Sequence, residues 1–200
     1  MRFMAASSRS NPLALAVLTC VYERPMHPYE MAQTLRSRAK HESIRLNYGS
    51  LYSVVASLEK RHLINARETV REGRRPERTI YEITDTGTRE LNDWLTELVA
   101  RPEKEYLQFE AALSLIAALP VEDALALLKT RITALEMAHA QMKAVRAAAA
   151  DAGLPRLFDL EGEYTQALLE AELDYVRRLV KEIESGELEG VEMWRSFNTD

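Results

Sequence analysis

Leu46-Asn47-Tyr48-Gly49-Ser50-Leu51-Tyr52-Ser53-Val54-Val55-Ala56-Ser57-Leu58-Glu59-Lys60-Arg61 is the stretch whose reading decides the fold. Leu51, Val54, Val55 and Leu58 fall at i, i+3, i+4 and i+7, one apolar stripe of a short helix. The other face carries Ser50, Tyr52, Ser53, Ser57 and Arg61. Small hydroxyls and an aromatic, with few acids, suit a surface that approaches a polyanion closely. Asn47-Tyr48-Gly49-Ser50 reads as the capped entrance, where free backbone N–H groups can meet phosphate.

Downstream, Leu63 to Val70 and Thr79-Ile80-Tyr81-Glu82-Ile83 are β-prone runs flanking Arg71-Glu72-Gly73-Arg74-Arg75-Pro76-Glu77-Arg78. A basic tip with Gly and Pro between two such runs is a hairpin pattern. Upstream, Asn11-Pro12 is an N-cap and first-turn proline opening a helix to about Tyr22, which Pro25 stops. Pro28 opens a second helix, to about Ala39. Two helices, a polar-faced third helix and an arginine-tipped hairpin make the order of a winged helix-turn-helix, whose third helix enters the major groove while the wing lies along the backbone or in the minor groove.

The order and spacing of these motifs resemble the PadR family of bacterial transcription regulators. Leu13-Ala14-Leu15-Ala16-Val17-Leu18 marks the first helix and His27-Pro28-Tyr29-Glu30-Met31 the second. Tyr48-Gly49-Ser50-Leu51-Tyr52 with Leu58-Glu59 marks the third, Gly73-Arg74-Arg75-Pro76 the wing, and Tyr81-Glu82-Ile83-Thr84-Asp85-Thr86-Gly87 the exit into the next helix. The resemblance covers the first half closely, and the second half is similar in layout to the helical C-terminal domain of long family members. Ser53 stands where the family often has Pro, Pro28 where it often has Gly, and His62 where it often has Gly.

The 200 residues are 46% hydrophobic and 28% charged, an ordinary globular composition. Net charge is −5, which fits a nucleic-acid binder poorly until it is divided. Residues 1–101 hold 16 basic and 12 acidic residues, net +4, and the remainder holds 10 and 19, net −9. The basic half is the half with the winged-helix pattern. A lone Cys20 provides no disulfide framework and is consistent with a reducing cytoplasm. Leu13 to Tyr22 is too short to span a membrane and reads as a buried helix, not an export signal. We expect a cytoplasmic protein without membrane attachment.

Thr86-Gly87 leads into a helix from about Thr88 to Val99, with Leu91, Trp94, Leu95 and Leu98 on one face. Arg101-Pro102 is the expected boundary. Beyond it, Phe109 to Leu119 is a strongly apolar helical stretch. A helix from Val121 to about Ala150 carries Leu125, Leu128, Ile132, Leu135, His139 and Met142 at alternating spacings of three and four, a heptad seam. Gly153-Leu154-Pro155 breaks it, and Glu161 to Glu184 repeats the seam with Leu169, Leu173, Val176, Val180 and Ile183. Such seams can pair within one chain or join two. After Ser185 the sequence is acidic, with Trp194 and Phe197 as its only large anchors.

The expected fold is mainly α with one small β-hairpin: a flexible segment over 1–10, a winged helix-turn-helix over 11–101, an antiparallel, coiled-coil-like dimerisation domain over 102–185, and a tail over 186–200. Asn47, Tyr48, Ser50, Tyr52 and Ser53 are the candidate contacts of the recognition helix, and Arg71, Arg74, Arg75 and Arg78 those of the wing. Tyr52 borders the apolar stripe and fits a core position as well as a phosphate contact. Tyr29 reads as core. Trp94 reads as core or interface packing, or as a wall of an effector pocket between reader and arm. Leu125, Leu128, Ile132, Leu135, Leu169, Leu173, Val176 and Val180 are the candidate dimerisation residues. His139 reads as a polar residue that sets the register of its seam.

Catalysis has no support in the sequence. His27, His41, His62 and His139 lack metal-ligand spacing, Cys20 has no partner, and there is no phosphate-binding glycine loop or nucleophile elbow. Glu163, Glu170, Glu172 and Glu182 read as solvated helix faces. No catalytic residue, metal or cofactor is expected. The resemblance implies a homodimeric repressor on a palindromic, double-stranded operator near its own gene, released by a small hydrophobic or aromatic effector. The alternatives are a winged-helix protein-interaction module without specific DNA binding, and an activator.

Overall fold

The computed structural model describes residues 11–70 and 78–197. Arg71, Arg74 and Arg75 of the expected wing tip, and the segment 1–10, lie outside the described residues. The chain divides into two units, Met1–Lys104 and Glu105–Asp200.

The first unit is built around α1 (Pro12–Glu23). Asn11 caps it through Oδ1, which accepts from the Leu13 N–H at 3.1 Å, and Pro12 sits in the first turn, where its missing N–H costs nothing. Leu13, Val17, Leu18, Cys20 and Val21 are buried, so this apolar run is the central helix of the unit. Helix α2 (Pro28–Ser37) starts with a capping box: His27 Nδ1 accepts from Tyr29 N–H, and Glu30 Oε2 accepts from His27 N–H. Pro28 thus occupies a first-turn position that proline suits. The helix stops short of Ala39 because Ala39 takes a left-handed φ of 55° and Lys40 N–H turns back to Leu35 O at 2.8 Å.

Helix α3 (Tyr48–Lys60) buries Leu51, Val54, Val55 and Leu58 against α1, as its periodicity requires. It ends by the same device. His62 has φ 57°, and Leu63 N–H donates to Leu58 O at 3.0 Å. The left-handed conformation accounts physically for glycine being a natural occupant here. Strands β1 (Ile64–Val70) and β2 (Arg78–Ile83) pair antiparallel, with Ile64 opposite Ile83 and a bulge between Ala66 and Glu68. Met26 and Tyr81 exchange backbone hydrogen bonds at 3.0 Å, which pins the α1–α2 loop to β2. Helix α4 (Asp85–Ala100) begins nearly a turn before the expected Thr88, because Thr84 Oγ1 caps it by accepting from Gly87 N–H at 2.9 Å.

The second unit contains α5 (Gln108–Ser114), α6 (Val121–Asp151), α7 (Leu160–Ser185) and α8 (Val191–Phe197). The apolar stretch expected to continue to Leu119 leaves the α-helix at Ser114 and finishes as a single 3-10 turn over Ile116–Ala118. Helices α6 and α7 pack antiparallel. The buried core is Val121, Ala124, Leu128, Leu135, Leu173, Val176, Val180 and Ile183, with Leu125, Ile132 and Leu169 packed against it. The two seams therefore pair within one chain. Ion pairs run along the hairpin, Lys129–Glu184 at 2.6 Å, Arg177–Glu136 at 2.6 Å and Arg146–Asp159 at 2.7 Å, with a His139–Glu170 hydrogen bond at 2.8 Å among them. Ascending positions in α6 meet descending ones in α7, which fixes the register.

The segment read as a tail contains a helix of its own. Val191 and Trp194 of α8 are buried in the same core, and Trp194 Nε1 donates to Leu119 O at 2.8 Å. Phe197 stays exposed.

Candidate nucleic-acid interface

With its apolar stripe spent on the core, α3 turns Gly49, Tyr52, Ser53, Ala56, Ser57 and Lys60 outward, all exposed and none acidic. Tyr52, Ala56 and Lys60 repeat at i+4, so they line one ridge. A ridge of small residues, one aromatic and one cation can enter a groove lined by phosphates without like-charge repulsion or steric obstruction.

The five residues expected to read from this helix do different things. Asn47 is spent on capping: its Oδ1 accepts from Ser50 N–H at 2.8 Å. Ser53 Oγ donates back to Gly49 O at 3.0 Å and remains on the surface. Ser50 is half-buried. Tyr52 projects into solvent and is not part of the core. Tyr48 is also exposed, and its hydroxyl accepts a hydrogen bond from Arg36 Nη1 at 2.6 Å.

Two expectations about neighbouring side chains are corrected. Tyr29 is exposed rather than core, and its ring stacks on Tyr48 with centroids 6.2 Å apart and planes within 8°. It sits in the first turn of α2, where the core is already closed by Met31, Ala32 and Leu35. Arg61 does not share the outer face of α3; it is half-buried and paired with Glu90 at 3.2 Å. Lys60 takes its place.

Arg78, the described wing arginine, opens β2 and is exposed. Its positive field adds to burial in holding the His27 imidazole below its ordinary pKa, against the opposing pull of Glu30. Three other arginines of this unit are neutralised. Arg38 meets Glu23 through two hydrogen bonds, at 2.6 and 2.8 Å, which hold the Glu23 carboxyl below the usual carboxylate range, while Arg24 pairs with Glu30 and Arg67 with Glu82.

Trp94 is 1% exposed inside the core of the first unit, and its indole Nε1 is buried without a hydrogen-bond partner among the described residues. The candidate dimerisation residues Leu128, Leu135, Leu173, Val176 and Val180 are buried in the intrachain core, with Leu125, Ile132 and Leu169 beside them. Five of the eight are thus covered by their own chain, while Leu125, Ile132 and Leu169 remain half-buried. Among the described residues no cluster of His, Cys, Asp and Glu is placed to hold a metal ion, and no helix is long and apolar enough to cross a membrane.

Helix-turn-helix, a hairpin and an acid-free third-helix ridge define a winged-helix fold. Residues 17–93, within the winged-helix unit, match the model of the Transcriptional regulator PadR-like family. Among solved structures, Bacillus subtilis PadR in complex with operator DNA is similar, with TM-score 0.70 at 16% identity over 86% of this chain and 98% of that one. The same protein in complex with p-coumaric acid gives 0.69 at 15% identity, over 90% and 99%. The Vibrio cholerae virulence activator AphA gives 0.64 at 17% identity, over 86% and 98%. At these identities the likeness is one of fold, and it extends through the helical half. No curated protein sequence matches the chain significantly.

Proposed function

We propose that this protein is a homodimeric, sequence-specific DNA-binding repressor that places two copies of α3 in successive major grooves of a palindromic operator near its own gene. The observation that carries the reading is the outward ridge of α3, which presents Tyr52, Ser53, Ser57 and Lys60 with no carboxylate. Tyr48, Tyr52 and Ser53 are its candidate contacts on that ridge, with Asn47 and Ser50 holding the helix entrance. Arg71, Arg74, Arg75 and Arg78 serve as the wing.

One winged helix reads few base pairs, so duplication supplies both affinity and the two-fold symmetry of the site. With the α6–α7 seam closed internally, the second copy needs another apolar surface. Helix α6 has one: Leu127, Met137 and Val145 are 57, 69 and 59% exposed, with Ala134 and Ala138 between them. We assign dimerisation to that outer stripe. The solved PadR complex with p-coumaric acid supports a small aromatic effector as the releasing signal, which would act by altering the spacing of the two readers. Trp94 is the aromatic proposed to wall such a pocket, its unpaired indole N–H offering a donor once the core around it opens.

The test is an anisotropy titration of the full chain on its own upstream intergenic DNA and on a scrambled control, at about 50 and 200 mM salt. Binding to the native fragment about 10³-fold tighter or more, with a steep salt slope, is expected. Arg74→Ala with Arg75→Ala should weaken binding to every sequence and flatten that slope. Equal, weak binding to both fragments would put the protein-interaction reading first. A promoter-fusion readout separates repression from activation.

A further inference from the structure

We propose that Arg36, on α2, is a phosphate-contacting residue held in place by Tyr48, and that Tyr29 completes this support. The proposal rests on the DNA-binding reading above and adds to it a residue outside α3 and the wing.

Arg36 differs from its neighbours in what neutralises it. Arg24, Arg38, Arg61 and Arg67 each meet a glutamate. Arg36 is exposed and makes no ion pair among the described residues; its partner is an aromatic ring. The guanidinium carbon lies 4.4 Å from the Tyr48 ring centroid, and Nη1 donates to the Tyr48 hydroxyl at 2.6 Å. Tyr48 is itself stacked on Tyr29.

This arrangement orders a long side chain without cancelling its charge. A carboxylate partner would do the first at the expense of the second. A phenol fixes the guanidinium plane by stacking and by one hydrogen bond, leaving the remaining N–H groups free for a phosphate. Ordering in advance removes part of the entropy cost of binding. Position agrees with role. Arg36 is in the last turn of α2, and Tyr48 opens α3, the helix that carries the reading ridge. In a docked helix-turn-helix the helix before the recognition helix crosses the phosphate backbone. Tyr48 is therefore a positioning residue as well as a groove contact.

The experiment uses the full chain and the operator fragment of the titration above. Arg36→Ala is expected to lower the slope of log K against log salt by about 0.9, the release of one phosphate contact. Tyr48→Phe keeps the ring and loses the acceptor, whereas Tyr48→Ala loses both. Each should weaken binding several-fold in the native background and less in the Arg36→Ala background, because the arginine they support is gone. Both sites are exposed, and matched melting temperatures exclude a folding effect. An unchanged slope in Arg36→Ala, while Arg74→Ala with Arg75→Ala lowers its own, would overturn the proposal and leave the DNA-binding reading standing. Full additivity of the Arg36 and Tyr48 losses would overturn the positioning role. Absence of any operator binding by the native chain would overturn both the proposal and the reading beneath it.

Discussion

A side-chain carbon placed on Gly87 would lie 2.0 Å from the carbonyl oxygen of Leu63. The first turn of α4 thus rests directly on the turn between α3 and β1, backbone against backbone. Thr84 completes the joint: its Oγ1 accepts from Gly87 N–H and donates to His62 O at 2.8 Å, while its N–H donates to Leu63 O at 3.1 Å. Gly87→Ala must move backbone and is expected to cost about 3 kcal/mol. Urea denaturation followed by circular dichroism measures it; a loss below about 1 kcal/mol would mean that the joint yields easily.

Ala39 and His62 both take left-handed backbone conformations at helix ends. A β-carbon there is strained by roughly 1 kcal/mol. His62→Gly and Ala39→Gly should each raise stability by about that amount, less the entropy glycine adds to the unfolded chain. A lowered melting temperature in both variants would contradict the assignment.

The α2 cap should be sensitive to pH. Burial first, and then the field of Arg78, hold the His27 pKa below its ordinary 6.5. The unfolded chain therefore binds the proton more readily. Stability from this cap is present above pH 6.5 and is lost as pH falls through the lower folded value. Protonation removes the Nδ1 acceptor that holds Tyr29 N–H, worth about 1 kcal/mol for a cap. Melting curves at pH 8 and pH 5 test this, with His27→Asn as a cap that does not titrate in that window. If the native chain and His27→Asn lose equal stability on acidification, His27 is not the responsible group.

Cys20 is 1% exposed, and burial, followed by the field of Glu23, pushes its thiol up to about 11. It should react with thiol reagents at pH 8 at least about 100-fold more slowly in the native protein than in urea, since labelling needs the core to open. Rapid native labelling would show α1 opening independently of the rest.

The helical unit separates folding from assembly. Leu135→Ala, within the α6–α7 core, should cost about 2–4 kcal/mol. Leu127→Glu with Met137→Glu, on the outer stripe of α6, should leave helicity and melting nearly unchanged and convert a dimer to a monomer in sedimentation equilibrium. A dimer that survives the outer pair of changes would place the interface elsewhere.

Most of the helices and the hairpin were legible along the chain because they arise from local causes: period 3.6, an Asn-Pro start for α1, the proline that opens α2, and paired β-prone runs; the Thr84 cap of α4 and the short α8 were not. Lys60 was missed in favour of Arg61, although helical arithmetic places it on the ridge of Tyr52 and Ala56. Arg36 was not legible. Nothing in the ten residues of α2 distinguishes an arginine that meets a tyrosine twelve positions away from one that meets a glutamate.

The sequence by itself determined which helix faces are apolar, where α1, α2, α3 and α6 begin, and that the half with the winged-helix pattern is the basic one. The tertiary structure decided which apolar surface meets which. A heptad seam has the same spacing whether its partner is the next helix or another chain, so only packing showed that α6 and α7 close on each other. It likewise put Tyr29 outside and paired Arg61 with Glu90, because burial and charge pairing depend on neighbours distant in sequence, and no local pattern encodes them.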